Sequence, residues 1–507
     1  MQGAGSGGGG MTDEAGQTRR TLLNAGGASV ATAALASAAR AQAPTPAPQT
    51  PSGAPTQGEV SQLTARLADY IAGALDRPLP ADVAFQMKMH VLDTFGAMVS
   101  GSRLKPGLLA GRYVESLGGK PEATVIGSRL LTNPVLAAFA NAMSACADET
   151  DDTNPVGPVH LGAMSVPAGL AVAEAAGRSG ADFLRAVALG YDIGARVVAA
   201  LGVDESAKRF GPNSVTSSFV SAAVSAALLR LDRRQVRHTL TYAAQQASGT
   251  GMWKRDREHI EKAFDYAGAG ARNGVMAATM VAMGFNGAED PFSGDPSVFS
   301  AIAEKPAPEK LLADLGSKYA VMDTTIKKWT VAAPLQSVLD GVSELLKDPA
   351  VRPGNVTRVT VEMAAYSLAI VDNAATPDLC AQHLVALMIV DHGATFASIH
   401  DAARMKDPKV LAIRGLVTLK GSKDLDTARP PRQAIVTIET RDKTLVKHTV
   451  YVRGLKENPM TWDEVEAKAL DLMTPVLGAG RTKTLIAAIS RLDSFGPISR
   501  LRPLLQA

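Results

Sequence analysis

The segment Ala145-Cys-Ala-Asp-Glu-Thr-Asp-Asp-Thr-Asn-Pro-Val-Gly-Pro-Val-His160-Leu-Gly-Ala163 concentrates the groups in this chain that can move a proton. Asp148, Glu149, Asp151 and Asp152 crowd together, Thr153 adds a hydroxyl, and His160 follows. Acid–base chemistry on a small acid needs a base and a donor at close quarters. His160 is the first candidate for that work, because an unperturbed imidazole titrates near neutral pH. Taken alone, the same acids could cap the following helix and be solvated.

Two apolar runs rich in Ala, Val and Leu flank this segment and read as buried helices, so the loop would sit at the end of a helical core. Helices are expected at Val60–Leu75, Ala81–Ser100, Pro134–Ala147, Met164–Ala176, Gly180–Leu201, Val215–Leu231, Arg234–Ala247 and Ala269–Met283. Gly, Pro or Asp punctuates most of the gaps between them. The pattern then changes to period-two alternation in Val356–Met363 and Gln433–Thr440. Arg441-Asp-Lys443 turns the second of these into Thr444–Val452, a β-hairpin. Helical periodicity returns from Thr461 to Ser494. The expected fold is mainly α with an inserted α+β domain. A helical domain forms from 58–323 and 461–507, and a smaller lid from 324–460 lies between its two parts.

The N-terminus is set apart from the fold. Thr18-Arg19-Arg20-Thr21-Leu22-Leu23, a weakly apolar Ala-rich run and Ala41-Gln42-Ala43 occur in the order of a twin-arginine export signal. Residues 1–43 are therefore expected to be a signal peptide with a preceding Gly-rich extension, and 44–57 a Pro-rich linker. The mature protein is expected in the periplasm, and the interrupted run argues against a retained membrane span.

Composition narrows the function classes. With 46% hydrophobic and 20% charged residues, a large ordinary core is available. The 52 basic residues are nearly matched by 49 acidic ones and lie dispersed, which gives no case for nucleic acid or an anionic membrane. Cys146 and Cys380 could form at most one bridge. Paired-cysteine and His-x-x-x-His spacings are missing, so a metal site has little support. There is no Gly-x-x-x-x-Gly-Lys-Ser/Thr loop, and Gly268-Ala-Gly270 follows no strand.

A series of short motifs in fixed order resembles the MmgE/PrpD family. They are Leu92-Asp-Thr-Phe-Gly96, Ala123-Thr-Val-Ile-Gly127, the Asp151-Asp-Thr153 run, His160-Leu-Gly-Ala163 and Gly190-Tyr-Asp-Ile-Gly194. Lys262-x-Phe-x-x-x-Gly268, Gly284-Phe-Asn-Gly287, Ile326-Lys-Lys-Trp329 and Cys380-Ala-Gln-His-Leu-Val-Ala386 continue it. The resemblance spans essentially everything after the linker. It implies a helical domain with a lid, a homodimer, no metal or organic cofactor, and proton chemistry beside a carboxylate of a small polycarboxylate.

Residue by residue, Asp152, Thr153 and His160 match the family's acid-loop positions, and Glu149 stands where an aspartate is usual. Lys262 and Lys327 match two lysines that hold substrate carboxylates, although Lys262 could instead pair with Glu258, and Lys328 stands next to Lys327. His383 aligns where the methylcitrate-dehydratase branch tends to carry a tyrosine, and is assigned to substrate binding. Gly211, Cys146 and Gln336 stand where histidines are common. The functional expectation is a cofactor-independent dehydratase or decarboxylase acting on a small di- or tricarboxylate. An epimerase using the same site and a non-catalytic carboxylate-binding protein are the alternatives.

Overall fold

The computed structural model describes residues 60–203, 210–256 and 258–507. The export signal and linker expected over 1–57 lie outside the described residues. The larger body begins with α1 (Gln62–Ala72), α2 (Ala81–Gly101) and α3 (Lys105–Leu117), followed by a short hairpin of β1 (Ala123–Thr124) and β2 (Leu131–Thr132). It continues through α4 (Pro134–Ala145), α5 (Leu161–Ala175), α6 (Gly180–Leu201), α7 (Pro212–Leu228) and α8 (Arg233–Gln246). After α9 (Ile260–Ala263), one π-helical stretch, Phe264–Gly268, leads directly into α10 (Ala269–Ala282), and α11 (Val298–Ile302) follows.

The central helices α5 and α7 are buried on nearly all sides, and small residues let neighbouring axes close in. A Cβ on Gly270 would fall 1.9 Å from Ser217 Oγ, and one on Gly274 would meet the backbone of α7. Only glycine permits α7 and α10 to lie that close. Capping boxes at Ser179 and Asp232 start α6 and α8, and each such cap contributes about 1 kcal/mol.

Near Ile326 the chain leaves the large apolar core, and it rejoins that core at Met460. Between these points a second, smaller apolar cluster forms, from Val331 to Ile438. Its sheet contains β3 (Val356–Ala364), β4 (Val417–Ser422), β5 (Ala434–Thr440) and β6 (Thr444–Thr449) in the order β4-β3-β5-β6. β3 and β4 run parallel, while β3–β5 and β5–β6 are antiparallel. Strict alternation of burial along β5 makes it a two-faced inner strand. Around the sheet stand α12 (Gln336–Leu345), α13 (Ala365–Val371), α14 (Ala381–Asp391), α15 (Phe396–His400), α16 (Pro408–Arg414) and α17 (Lys423–Thr427). Finally α18 (Trp462–Leu477), α19 (Ala479–Ile489) and α20 (Arg502–Leu505) pack back on the large body.

The chain is thus mainly α with a smaller mixed α/β unit, the class its sequence implies. The 434–449 hairpin is present, whereas α3, β4 and the parallel β3–β4 pairing were not expected. Among the described residues no helix is long and apolar enough to cross a membrane.

Candidate active site

Asp152 shapes the acid loop between α4 and α5. It is fully buried and accepts hydrogen bonds from His90 Nδ1 at 2.7 Å, from the Gly162 amide at 3.0 Å, and from the Tyr191 hydroxyl. With those partners it anchors the loop to α2, α5 and α6. The Thr153 amide donates to the Thr325 carbonyl at 3.0 Å and the Thr325 amide returns the bond at 2.9 Å, which joins the loop to the segment leading into the smaller α/β unit. Thr153 Oγ1 is buried and has no hydrogen-bond partner. A second anchor is Lys468 on α18. Its ammonium donates to Asp93 Oδ1 at 2.6 Å, to the Thr150 carbonyl at 3.0 Å and to the Lys327 carbonyl at 2.7 Å.

Held this way, the loop turns Glu149, Asp151 and His160 toward two lysines. His160 Nδ1 lies 2.9 Å from Asp151 Oδ2, and the His160 amide donates to Asn213 Oδ1 at 3.0 Å. The same Asp151 oxygen accepts from Cys146 Sγ at 3.1 Å. Lys327 is 2 % exposed; its Nζ donates to the Glu149 carbonyl at 2.9 Å and stands 3.6 Å from Glu149 Oε2 and 3.8 Å from Asp151 Oδ1. Lys262 Nζ contacts Glu149 Oε1, to which His259 Nε2 donates at 3.0 Å. Tyr266 closes one wall, its ring centroid 5.2 Å from that of His160 and 4.8 Å from that of Trp253. It sits in the π-helical stretch after α9, a local irregularity of a kind that often marks functional positions.

Charge compensation sets the ionisation of the cluster. Burial pushes the Glu149 carboxyl up, but Lys262, His259 and Lys327 together outweigh it and hold the group well below the usual carboxylate range. Burial likewise raises Asp151, and the nearby His160 and Lys327 reverse that and lower it. Desolvation pulls Lys262 down while Glu149 and Asp151 raise it further, so it remains an ammonium. Burial and the neighbouring Asp151 push the Cys146 thiol well above its usual value, so it stays a neutral donor. Chemically, the arrangement offers one imidazole oriented by a carboxylate, beside two ammonium groups that are matched only by acids of the protein itself.

Glu149, His160, Lys262 and Lys327 are therefore gathered in one place. Lys262 does not pair with Glu258, which contacts Lys105 instead. Lys328 turns to the lid, 4.0 Å from Asp340 and over the Trp329 ring, so Lys327 is the inward lysine. Asp152 stands behind the site as its anchor, with its oxygens already engaged.

His383 makes no hydrogen bond to this cluster. It is fully buried on α14, neither ring nitrogen has a hydrogen-bond partner, and burial with Arg414 and Arg404 lowers it to about 4. Its charged neighbours, Arg414 and Arg404, belong to the smaller α/β unit. Gln336 clamps the segment just after Lys327, accepting from the Trp329 amide at 3.0 Å and donating to the Trp329 and Val331 carbonyls. A Cβ at Gly211 would already lie 2.9 Å from Ser214 Oγ, so this corner has no room for an imidazole without rearrangement. Cys146 and Cys380 are both free thiols.

Sequence reasoning did not single out His90, His259 or Lys468. For His259, a signal existed in its spacing three residues before Lys262; the other two come from distant helices and carried none.

The MmgE/PrpD N-terminal domain matches residues 65–310 and the MmgE/PrpD C-terminal domain matches 329–494. A cis-aconitate decarboxylase-like protein, oryM, of Aspergillus oryzae is 23% identical over 473 residues, covering 87% of this chain and 97% of that protein. The cis-aconitate decarboxylase of Homo sapiens is 24% identical over 472 residues, covering 88% of this chain and 95% of that protein.

Proposed function

We propose that this chain, which belongs to the MmgE/PrpD family, is a lyase that uses its own side chains to remove carbon dioxide or water from a small di- or tricarboxylate. The observation that carries the reading is the Asp151–His160 pair standing beside Lys262 and Lys327. In the resting protein Glu149 occupies the ammonium groups. An incoming carboxylate would compete for Lys262, Lys327 and His259, and would find them already oriented by Glu149.

Decarboxylation leaves an electron pair on the carbon that lost carbon dioxide, delocalised into an adjacent carboxylate. Lys262 and Lys327 would favour that extra charge more strongly than the ground state. Proton delivery to the carbon is assigned to His160. With Nδ1–H directed at Asp151, its Nε2 is the nitrogen that exchanges a proton with the substrate. In a dehydration the same imidazole would take the α-proton and pass it to the β-hydroxyl, which would leave as water. The names of the two relatives support the decarboxylase form.

Isomerisation is the second reading. One imidazole that removes a proton and returns it to the other face needs no leaving group, and His160 is the one histidine paired with Asp151. Purified protein incubated with cis-aconitate, 2-methylcitrate, citrate, malate and tartrate in deuterium oxide would separate these outcomes by proton NMR. Loss of carbon dioxide or water supports the lyase, and exchange with inversion supports the isomerase. Binding without exchange would support a carboxylate-binding protein.

Two further assignments belong to the proposal. The twin-arginine pattern at Arg19-Arg20 supports export to the periplasm, which fractionation of a tagged full-length chain would test. Leu109, Tyr113, Phe139 and Phe264 line one apolar depression on the body, which supports a homodimer testable by sedimentation.

A further inference from the structure

The acid loop is also gripped from the lid. α15 is a single turn whose residues split between the two cores: Ile399 is buried in the smaller cluster, and Phe396 packs on the larger one. It is held to the body at both ends. The Phe396 amide donates to Asp471 Oδ2 of α18 at 2.7 Å, and His400 Nε2 stands 2.9 Å from Asp148 Oδ2. The His400 N–H lies off the line to that oxygen, so the contact is an ion pair and not a well-aligned hydrogen bond. His400 Nδ1 contacts the Phe396 carbonyl at 3.0 Å and its ring lies 4.1 Å from the Phe396 ring, which fixes its direction. Asp148 in turn accepts from the Thr150 amide at 3.0 Å and the Thr150 hydroxyl at 2.7 Å. Between Asp148 and Thr150 stands Glu149.

We propose that His400 is a positioning residue: its ion pair with Asp148 couples the seating of the lid turn α15 to the arrangement of the loop that carries Glu149 and Asp151. Its catalytic consequence rests on the lyase reading above, but its structural consequence does not. The acidic groups facing His400 are Asp148 from the body and Asp378 from the lid. Asp378 is buried, makes no side-chain hydrogen bond or ion pair among the described residues, and also faces His259. Burial lowers the His400 imidazole, but these two carboxyls outweigh it and hold it above its usual value. Burial raises Asp148, and His400 and Thr150 reverse that and lower it. Each partner thus favours the charged form of the other when the lid turn is seated.

The test is amide hydrogen exchange on the full-length protein, comparing wild type, His400→Gln, Asp148→Asn and the double variant, with turnover measured in parallel. Peptides spanning 146–154 and 395–401 are expected to exchange about ten-fold faster in either single variant, with no further increase in the double variant over the single ones, while α6 keeps its protection. Where an acid is turned over, kcat is expected to fall by about ten-fold in His400→Gln. Unchanged protection of 146–154 in both single variants would overturn the coupling, as would faster exchange spread evenly through α6. A wild type that turns over no acid would sink the lyase reading alone, since the exchange measurements need no substrate.

Discussion

Asp151 Oδ2 is shared by two donors, His160 Nδ1 at 2.9 Å and Cys146 Sγ at 3.1 Å. One carboxylate oxygen therefore fixes which imidazole nitrogen carries the proton and leaves the other for substrate. Asp151→Asn would remove that control while keeping the volume. The expected result is a fall in kcat of roughly 10²–10⁴-fold with KM little changed, read from steady-state kinetics.

Cys146 tests how finely that pairing is set. Replacing it by Ser keeps a donor to Asp151, whereas Ala removes it. Cys146→Ser is expected to retain most activity, and Cys146→Ala to lose about ten-fold in kcat. Equal kinetics for the two variants would show that the thiol does not steer Asp151.

Lys468 is buried and binds Asp93, the Thr150 carbonyl and the Lys327 carbonyl together. Removing the ammonium would leave Asp93 buried without its cation and free both the acid loop and the segment that carries Lys327. Lys468→Met is therefore expected to lose about 3–5 kcal/mol of stability, measured by urea unfolding.

The pH dependence of stability follows from the depressed carboxyls. Glu149 and Asp151 have folded values below their unfolded ones. Their contribution is present above the ordinary carboxylate value, near about 4, and is lost as pH falls through the lowered folded values. His400 has the opposite sign: its contribution is present below the ordinary imidazole value and is lost as pH rises through its raised folded value. Denaturation curves should thus show acid destabilisation that is weaker in Glu149→Gln, and an alkaline loss absent from His400→Gln.

Much of this organisation was readable along the chain because it is local. Helices such as α6 and α8 announced themselves by periodicity, and the caps at Ser179 and Asp232 came into view only with the structure. The hairpin of β5 and β6 was visible because β5 alternates strictly in burial. β4 was not, because its partner lies on β3, some 58 positions earlier at Glu362–Lys420, and much of it is exposed. α3 was obscured by Leu108 and Leu109, which point outward.

The site divides the same way. Residues of the acid loop were legible as one dense segment, but the groups that orient them arrive from far away. His90 meets Asp152 across 62 positions and Lys468 meets Asp93 across 375, and no spacing rule relates such residues. His383 carried no such signal either: α14 is buried nearly all round, so nothing in the sequence tells a core-facing histidine there from one facing the cleft.

The central claim is that His160, oriented by Asp151 beside Lys262 and Lys327, transfers a proton to or from a small polycarboxylate. The most direct measurement is proton NMR in deuterium oxide of wild type and His160→Ala with the acid panel. Conversion of one acid by wild type, with deuterium entering the carbon and conversion abolished in His160→Ala, is the predicted result. Equal conversion by both proteins would contradict the account.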